Sequence, residues 1–142
     1  MPPEKLLKNE KMQSIGIDTN ILLEFRLKRQ PGFEIAQKCF KQCIDGKINI
    51  YIPLPCILET EWVLRSFYKQ PKEEIINFFE ELFLVNNLDT DNKENTSFSI
   101  NLYKQSREVS FTDCIIIKQI QSRGANFVTF DNNLSKLYKL LQ

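Results

Sequence analysis

The chain has 142 residues, 42% of them hydrophobic, which suits one compact domain whose core needs neither disulfides nor a structural metal. Its 19 basic and 18 acidic residues leave a formal charge of +1, so any nucleic-acid binding must rest on a local basic patch rather than on bulk charge. The sequence contains no histidine, which excludes hydrolases and ribonucleases that use imidazole as the base, together with His-liganded zinc enzymes.

In chain order, Ser14-Ile15-Gly16-Ile17 is a short apolar run that stops at Asp18, and Thr19 to Lys28 carries Ile21, Leu22 and Phe25 at helical spacing. The pattern predicts a strand feeding directly into a helix. Gln30-Pro31-Gly32 interrupts it, and Phe33 to Ile44 forms a second helix that closes at Asp45-Gly46. A strand is expected over Ile48 to Ile52. Pro53-Leu54-Pro55 turns the chain into a helix running from Cys56 to Tyr68, with Pro55 suited to a first turn because its missing N–H has no partner to lose there. Lys72 to Phe83 is amphipathic, with Ile75, Ile76, Phe79, Leu82 and Phe83 on one face and glutamates on the other, a solvated face rather than a site.

Val85 to Leu88 is a candidate short strand, Asp89 to Thr96 the least ordered-looking stretch, and Ser97 to Ser106 a helix. Ser110 to Ser122 follows as a helix ended by Gly124, then a strand over Phe127 to Phe130, and a last helix from Asp131 to Leu140. Strands alternating with helices argue for an α/β fold with a parallel sheet covered on both faces. Cys39, Cys43, Cys56 and Cys114 show no metal-binding spacing and read as reduced thiols. No apolar run is long enough for a membrane span and Met1 to Met12 is charged, so a soluble, cytoplasmic protein is expected.

Asp18 and Asp131 follow directly on apolar strands, and Asp113 lies at the start of a helix. In an open parallel sheet, the carboxyl ends of strands and the helix starts that follow line one crevice. Glu59, one turn into its helix, can face the same crevice, and three or four converging carboxylates call for a divalent cation, with all-oxygen ligands selecting magnesium or manganese. Each aspartate also has a structural reading: Asp18 and Asp131 as helix N-caps, and Ser110-Phe111-Thr112-Asp113 as a capping box. Glu61 competes with Glu59, but residues two apart on a helix point in nearly opposite directions, so only one of them enters the site.

The runs Ile17-Asp18-Thr19-Asn20-Ile21-Leu22-Leu23, Tyr51-Ile52-Pro53-Leu54-Pro55 with Leu58-Glu59 and Trp62-Val63-Leu64-Arg65, Ser110-Phe111-Thr112-Asp113, and Val128-Thr129-Phe130-Asp131 resemble PIN domains. Among these they are most similar to the VapC-type toxins of bacterial toxin–antitoxin pairs. The resemblance spans about Ile15 to Leu140 and implies a Rossmann-like sheet of order 3-2-1-4-5. It also implies a Mg²⁺- or Mn²⁺-dependent endoribonuclease acting on structured RNA such as tRNA or a ribosomal RNA loop, a frequent homodimer, and inhibition by a cognate antitoxin. By the same match Asp18, Glu59, Asp113 and Asp131 are the catalytic and metal-holding acids, Glu59 rather than Glu61 is the second of them, and Asn20 and Thr129 support the ligands.

Two departures stand out: many relatives carry an acid at the position of Ser110, and they begin a few residues before the first strand, which makes residues 1–12 an extension and 13–142 the domain. Arg26, Lys28 and Arg65, with Arg29, Lys104 and Arg107, are candidate contacts to the RNA backbone, which fixes position rather than sequence. The competing expectation is a PIN-like module that has lost catalysis and only binds RNA or protein.

Overall fold

A computed structural model describes residues 12–142, so the expected extension, Met12 apart, lies outside the described residues. The order of elements is β1 (Gln13–Gly16), α1 (Thr19–Leu27), α2 (Gly32–Ile44), β2 (Ile48–Tyr51), α3 (Leu54–Ser66), α4 (Lys72–Phe83), β3 (Leu88–Asp89), α5 (Lys93–Gln105), α6 (Phe111–Ser122) and α7 (Asn132–Leu140). The chain divides into two compact units: one runs up to Thr60 and resumes over Glu81–Thr90, and the other comprises Glu61–Glu80 and Asp91–Gln142. Among the described residues no helix is long and apolar enough to cross a membrane.

The first unit holds the sheet. β1 pairs parallel with β2 in the register Gln13 to Ile48 through Gly16 to Tyr51, and β2 pairs parallel with β3 through Ile50 to Leu88 and Tyr51 to Asp89. The order β1-β2-β3 is the 3-2-1 half of the expected arrangement. Parallel strands need crossover segments, and the helices α1 and α2 between β1 and β2 supply one. Ile48, Ile50 and Ile52 are buried with Leu22, Ala36, Phe40, Cys43 and Ile57, each large side chain contributing about 1.5–3 kcal/mol by leaving water. Phe25 bridges α1 and α2, its ring 4.5 Å from that of Phe40 and 5.8 Å from that of Phe33. Gly32 opens α2 where only a hydrogen fits, because a β-carbon there would lie 2.8 Å from Glu24 Cβ.

The second unit is helical and packs around aromatic rings. Phe111 at the start of α6 lies 5.8 Å from Phe79 of α4 and 5.5 Å from Tyr103 of α5, and all three are buried. Ile75, Leu64, Ile100, Cys114 and Ile117 complete that core. On α7, Leu134 and Tyr138 turn inward, and the Tyr138 ring meets Phe127 edge-on at 5.3 Å.

The α/β class is as the sequence indicates, and the sheet is shorter than expected. Phe127 to Phe130 forms no strand pairing; it is a loop with Val128 93% and Phe130 106% exposed. The third strand is Leu88–Asp89 instead of Val85–Leu88, because Asn87 takes a left-handed conformation (φ 67°) that turns the chain just before it. The polar stretch Asp89 to Thr96 is ordered: Asn92, at φ 47°, accepts the Asn95 N–H through its side chain and caps α5.

Candidate active site

Asp18 sits where the chain leaves β1. The Ile17 N–H still donates to the Tyr51 carbonyl at 3.0 Å, after which Asp18 adopts an extended conformation and caps α1. Its Oδ1 accepts the Ile21 N–H at 3.2 Å, which fixes the carboxylate and leaves Oδ2 for another partner. A shallow cleft of about 290 Å³ opens here, lined by Gly16, Ile17, Asp18, Ile21 and Pro53. Asn20, in the first turn of α1, is exposed. Glu59 belongs to the same unit and is exposed on α3.

The second unit carries the other two acids. Asp131 caps α7, with Oδ1 accepting the Leu134 N–H at 3.1 Å. The Thr129 hydroxyl accepts the Asp131 N–H at 3.0 Å, so Thr129 holds the backbone from which that carboxylate projects. Ser110 caps α6 by accepting the Asp113 N–H at 3.1 Å. The reciprocal bond of a capping box, from the Ser110 N–H to the Asp113 carboxylate, does not form among the described residues, so the half-buried carboxylate keeps its oxygens for other work. Among the described residues none of the four acids is paired with a cation.

Glu59 and Glu61 are separated sharply by their surroundings. Glu61 is 2% exposed and accepts the Arg65 Nε–H at 2.7 Å, an Arg65 Nη2–H at 3.4 Å and the Tyr103 hydroxyl at 3.0 Å. That ring of donors uses up the carboxylate. The hydrogen bond from Arg65 to Glu61 raises the guanidinium pKa, and burial followed by the Glu61 charge pushes the Tyr103 phenol well above its ordinary 10.0. Arg65, expected as an RNA contact, therefore has its guanidinium directed into this clasp. Tyr103 does not figure among the residues the sequence singles out: its place on α5 marks it as a core aromatic, and no local pattern ties it to a glutamate 42 residues earlier.

Cys114, next to Asp113, is fully buried. Burial is the main reason its thiol is pushed up to about 12, with the Asp113 charge acting in the same direction and Lys72 against it. It is an inert packing residue. Among the described residues, no group of three or more cysteine, aspartate or glutamate side chains is gathered to hold a metal, and the four candidate acids fall two to each unit. As a donor set they nonetheless fit a hard divalent cation: all are carboxylates, all have oxygens to spare, and none is neutralised by an arginine or lysine.

A model of the PIN domain family matches residues 15–140. The chain belongs to that family. It is also 24% identical over 122 residues, covering 85% of this chain and 90% of the relative, to the VapC ribonuclease of Aquifex aeolicus (strain VF5).

Proposed function

We propose that this chain is a metal-dependent endoribonuclease that cleaves structured RNA, a tRNA or a ribosomal RNA loop, and serves as the toxin of a VapBC-type pair in the cytoplasm. A cognate antitoxin restrains it, and it works as a homodimer. The observation that carries the reading is the state of Asp18, Glu59, Asp113 and Asp131: at all four motif positions a carboxylate stands without a cationic partner. Structural acids that near helix starts would ordinarily be satisfied by capping alone, yet Glu59 caps nothing and Asp113 does not close its capping box.

In this proposal Asp18, Glu59, Asp113 and Asp131 hold Mg²⁺ or Mn²⁺. When bound, the cation supplies a Lewis acid for the attacked phosphate. The residues do the rest. Asp18 and Asp131 each have one oxygen locked by a helix N-terminus, which sets the direction of the other without a search among rotamers. Thr129 steadies the Asp131 backbone, and Asn20 offers an amide in the turn that follows Asp18. Arg26 and Lys28, at the far end of α1, are the proposed contacts to RNA phosphates on the first unit.

The test is cleavage of total tRNA and ribosomal RNA by the purified chain. Activity should appear with Mg²⁺ or Mn²⁺, stop with EDTA and return with excess metal, and Asp113→Asn should lower it by roughly two orders of magnitude or more. RNA left intact by a folded protein in the presence of either metal would make the chain a binding module instead. Growth arrest on expression in bacteria, relieved by its genomic neighbour, tests the toxin assignment separately.

A further inference from the structure

We infer that the second unit carries a phosphate-binding cleft, formed by Lys72, Lys104 and Arg107, that takes backbone phosphodiesters of the RNA away from the bond being cut. The inference rests on the nuclease reading and identifies where that enzyme grips its substrate. The amino end of α4 and the carboxyl end of α5, with the loop that follows, enclose a cleft of about 750 Å³, within the usual size of ligand sites. Three cations face one carboxylate there, Glu73, while Asn77 and Gln105 add neutral amide donors suited to phosphate or ribose oxygens.

Lys72 is held in place. Its ammonium donates to the Ser106 carbonyl and lies 4.3 Å from the centre of the Tyr103 ring, which leaves further N–H groups for a ligand and removes most of the entropy cost of ordering the side chain on binding. Lys104 and Arg107 are the adaptable members. Lys104 reaches Glu80 at only 3.5 Å, with both side chains about half exposed, a pair weak enough for a phosphate to displace. Arg107 is exposed at the mouth and has no ion pair among the described residues.

Two features flank the cleft. A second hollow of about 350 Å³ shares Ser106 and Arg107 with the first and adds Lys136 of α7, two cations facing the single carboxylate of Glu108. In the other direction the Lys72 ammonium lies over the Tyr103 ring, which packs 5.5 Å from Phe111 in the first turn of α6, the turn that also carries Asp113. Lys72 is absent from the basic residues the sequence suggests, because a lysine followed by Glu73 and Glu74 at a helix start reads as part of a solvated face.

The experiment measures binding apart from catalysis. The full chain carrying Asp113→Asn is titrated in EDTA into a short fluorescent single-stranded oligoribonucleotide over a range of salt concentrations. Each phosphate contact contributes about 0.7 to the slope of log affinity against log salt. Adding Lys104→Gln and Arg107→Gln should lower the slope by about 1.4 and weaken binding about tenfold at low salt, whereas Lys38→Gln with Lys41→Gln on α2 should change neither. In the otherwise unmodified chain the Lys104→Gln/Arg107→Gln pair should raise KM with kcat preserved. An unchanged slope overturns the cleft. A lowered slope in a protein that cuts no RNA upholds the cleft and counts against the nuclease reading alone.

Discussion

Glu59 and Glu61 stand two positions apart on one helix and end in opposite environments, one exposed and uncommitted, the other sealed under Arg65 and Tyr103. Helical geometry makes the alternation legible from the sequence, but not its sign: which glutamate faces outward depends on a tyrosine 42 residues away. The difference predicts opposite phenotypes. Glu59→Gln should reduce RNA cleavage by roughly two orders of magnitude while leaving the melting temperature unchanged, since it breaks no bond in the fold. Glu61→Gln should leave kcat intact and lower stability by about 1–2 kcal/mol, a range kept modest because the Arg65 side chain is 42% exposed. Parallel cleavage assays and thermal melts check both, and an inactive Glu61→Gln beside an active Glu59→Gln would reverse the assignment.

At the scale of elements, the helices are readable because periodic apolar residues and their stop signals agree: α4 runs over the predicted Lys72 to Phe83, and Ser110 and Asp131 cap α6 and α7 where the motifs place them. Two segments are not readable. Phe127 to Phe130 has the composition of a strand, yet a strand exists only if a neighbour supplies hydrogen bonds, and composition cannot report that. Asn92 is a favoured capping residue, but it stands in a polar run from Asp89 to Thr96 that offers several such residues, and nothing in the run marks which of them starts α5.

The contact between α3 and α5 in the second unit sets a pH dependence. Burial raises the Tyr103 pKa most, Glu61 facing it raises it further, and Arg65 lowers it less; Cys114 adds a small raising effect, and the Lys72 ammonium lies over its ring. The folded phenol therefore keeps its proton to higher pH than the unfolded one, so its contribution to stability is complete below the unfolded value of 10.0 and is lost as pH rises above it. Melting temperatures recorded from about pH 8 to about pH 11 should fall in the upper part of that range. Tyr103→Phe should be less stable throughout and show a shallower fall, and equal slopes for the two proteins would contradict the coupling.

For the whole molecule the decisive feature is one of composition: the sequence has no histidine. Cleavage through the ribose 2′-hydroxyl needs a base to take that proton and an acid to protonate the leaving oxygen, tasks usually given to a pair of imidazoles. The chemistry open to carboxylates is different. Under the proposed function Asp18, Glu59, Asp113 and Asp131 would hold a cation that supplies a Lewis acid to the phosphate, so that water would serve as the nucleophile and the 2′-hydroxyl would take no part. The products should therefore carry a 5′-phosphate and a 3′-hydroxyl, and an RNA whose scissile nucleotide has a 2′-O-methyl group should still be cut. Joining the fragments with a ligase that requires those two ends measures the outcome directly. Fragments ending in 2′,3′-cyclic phosphate, or cleavage abolished by the single 2′-O-methyl group, would show that the hydroxyl is the nucleophile and that the carboxylates serve some other purpose.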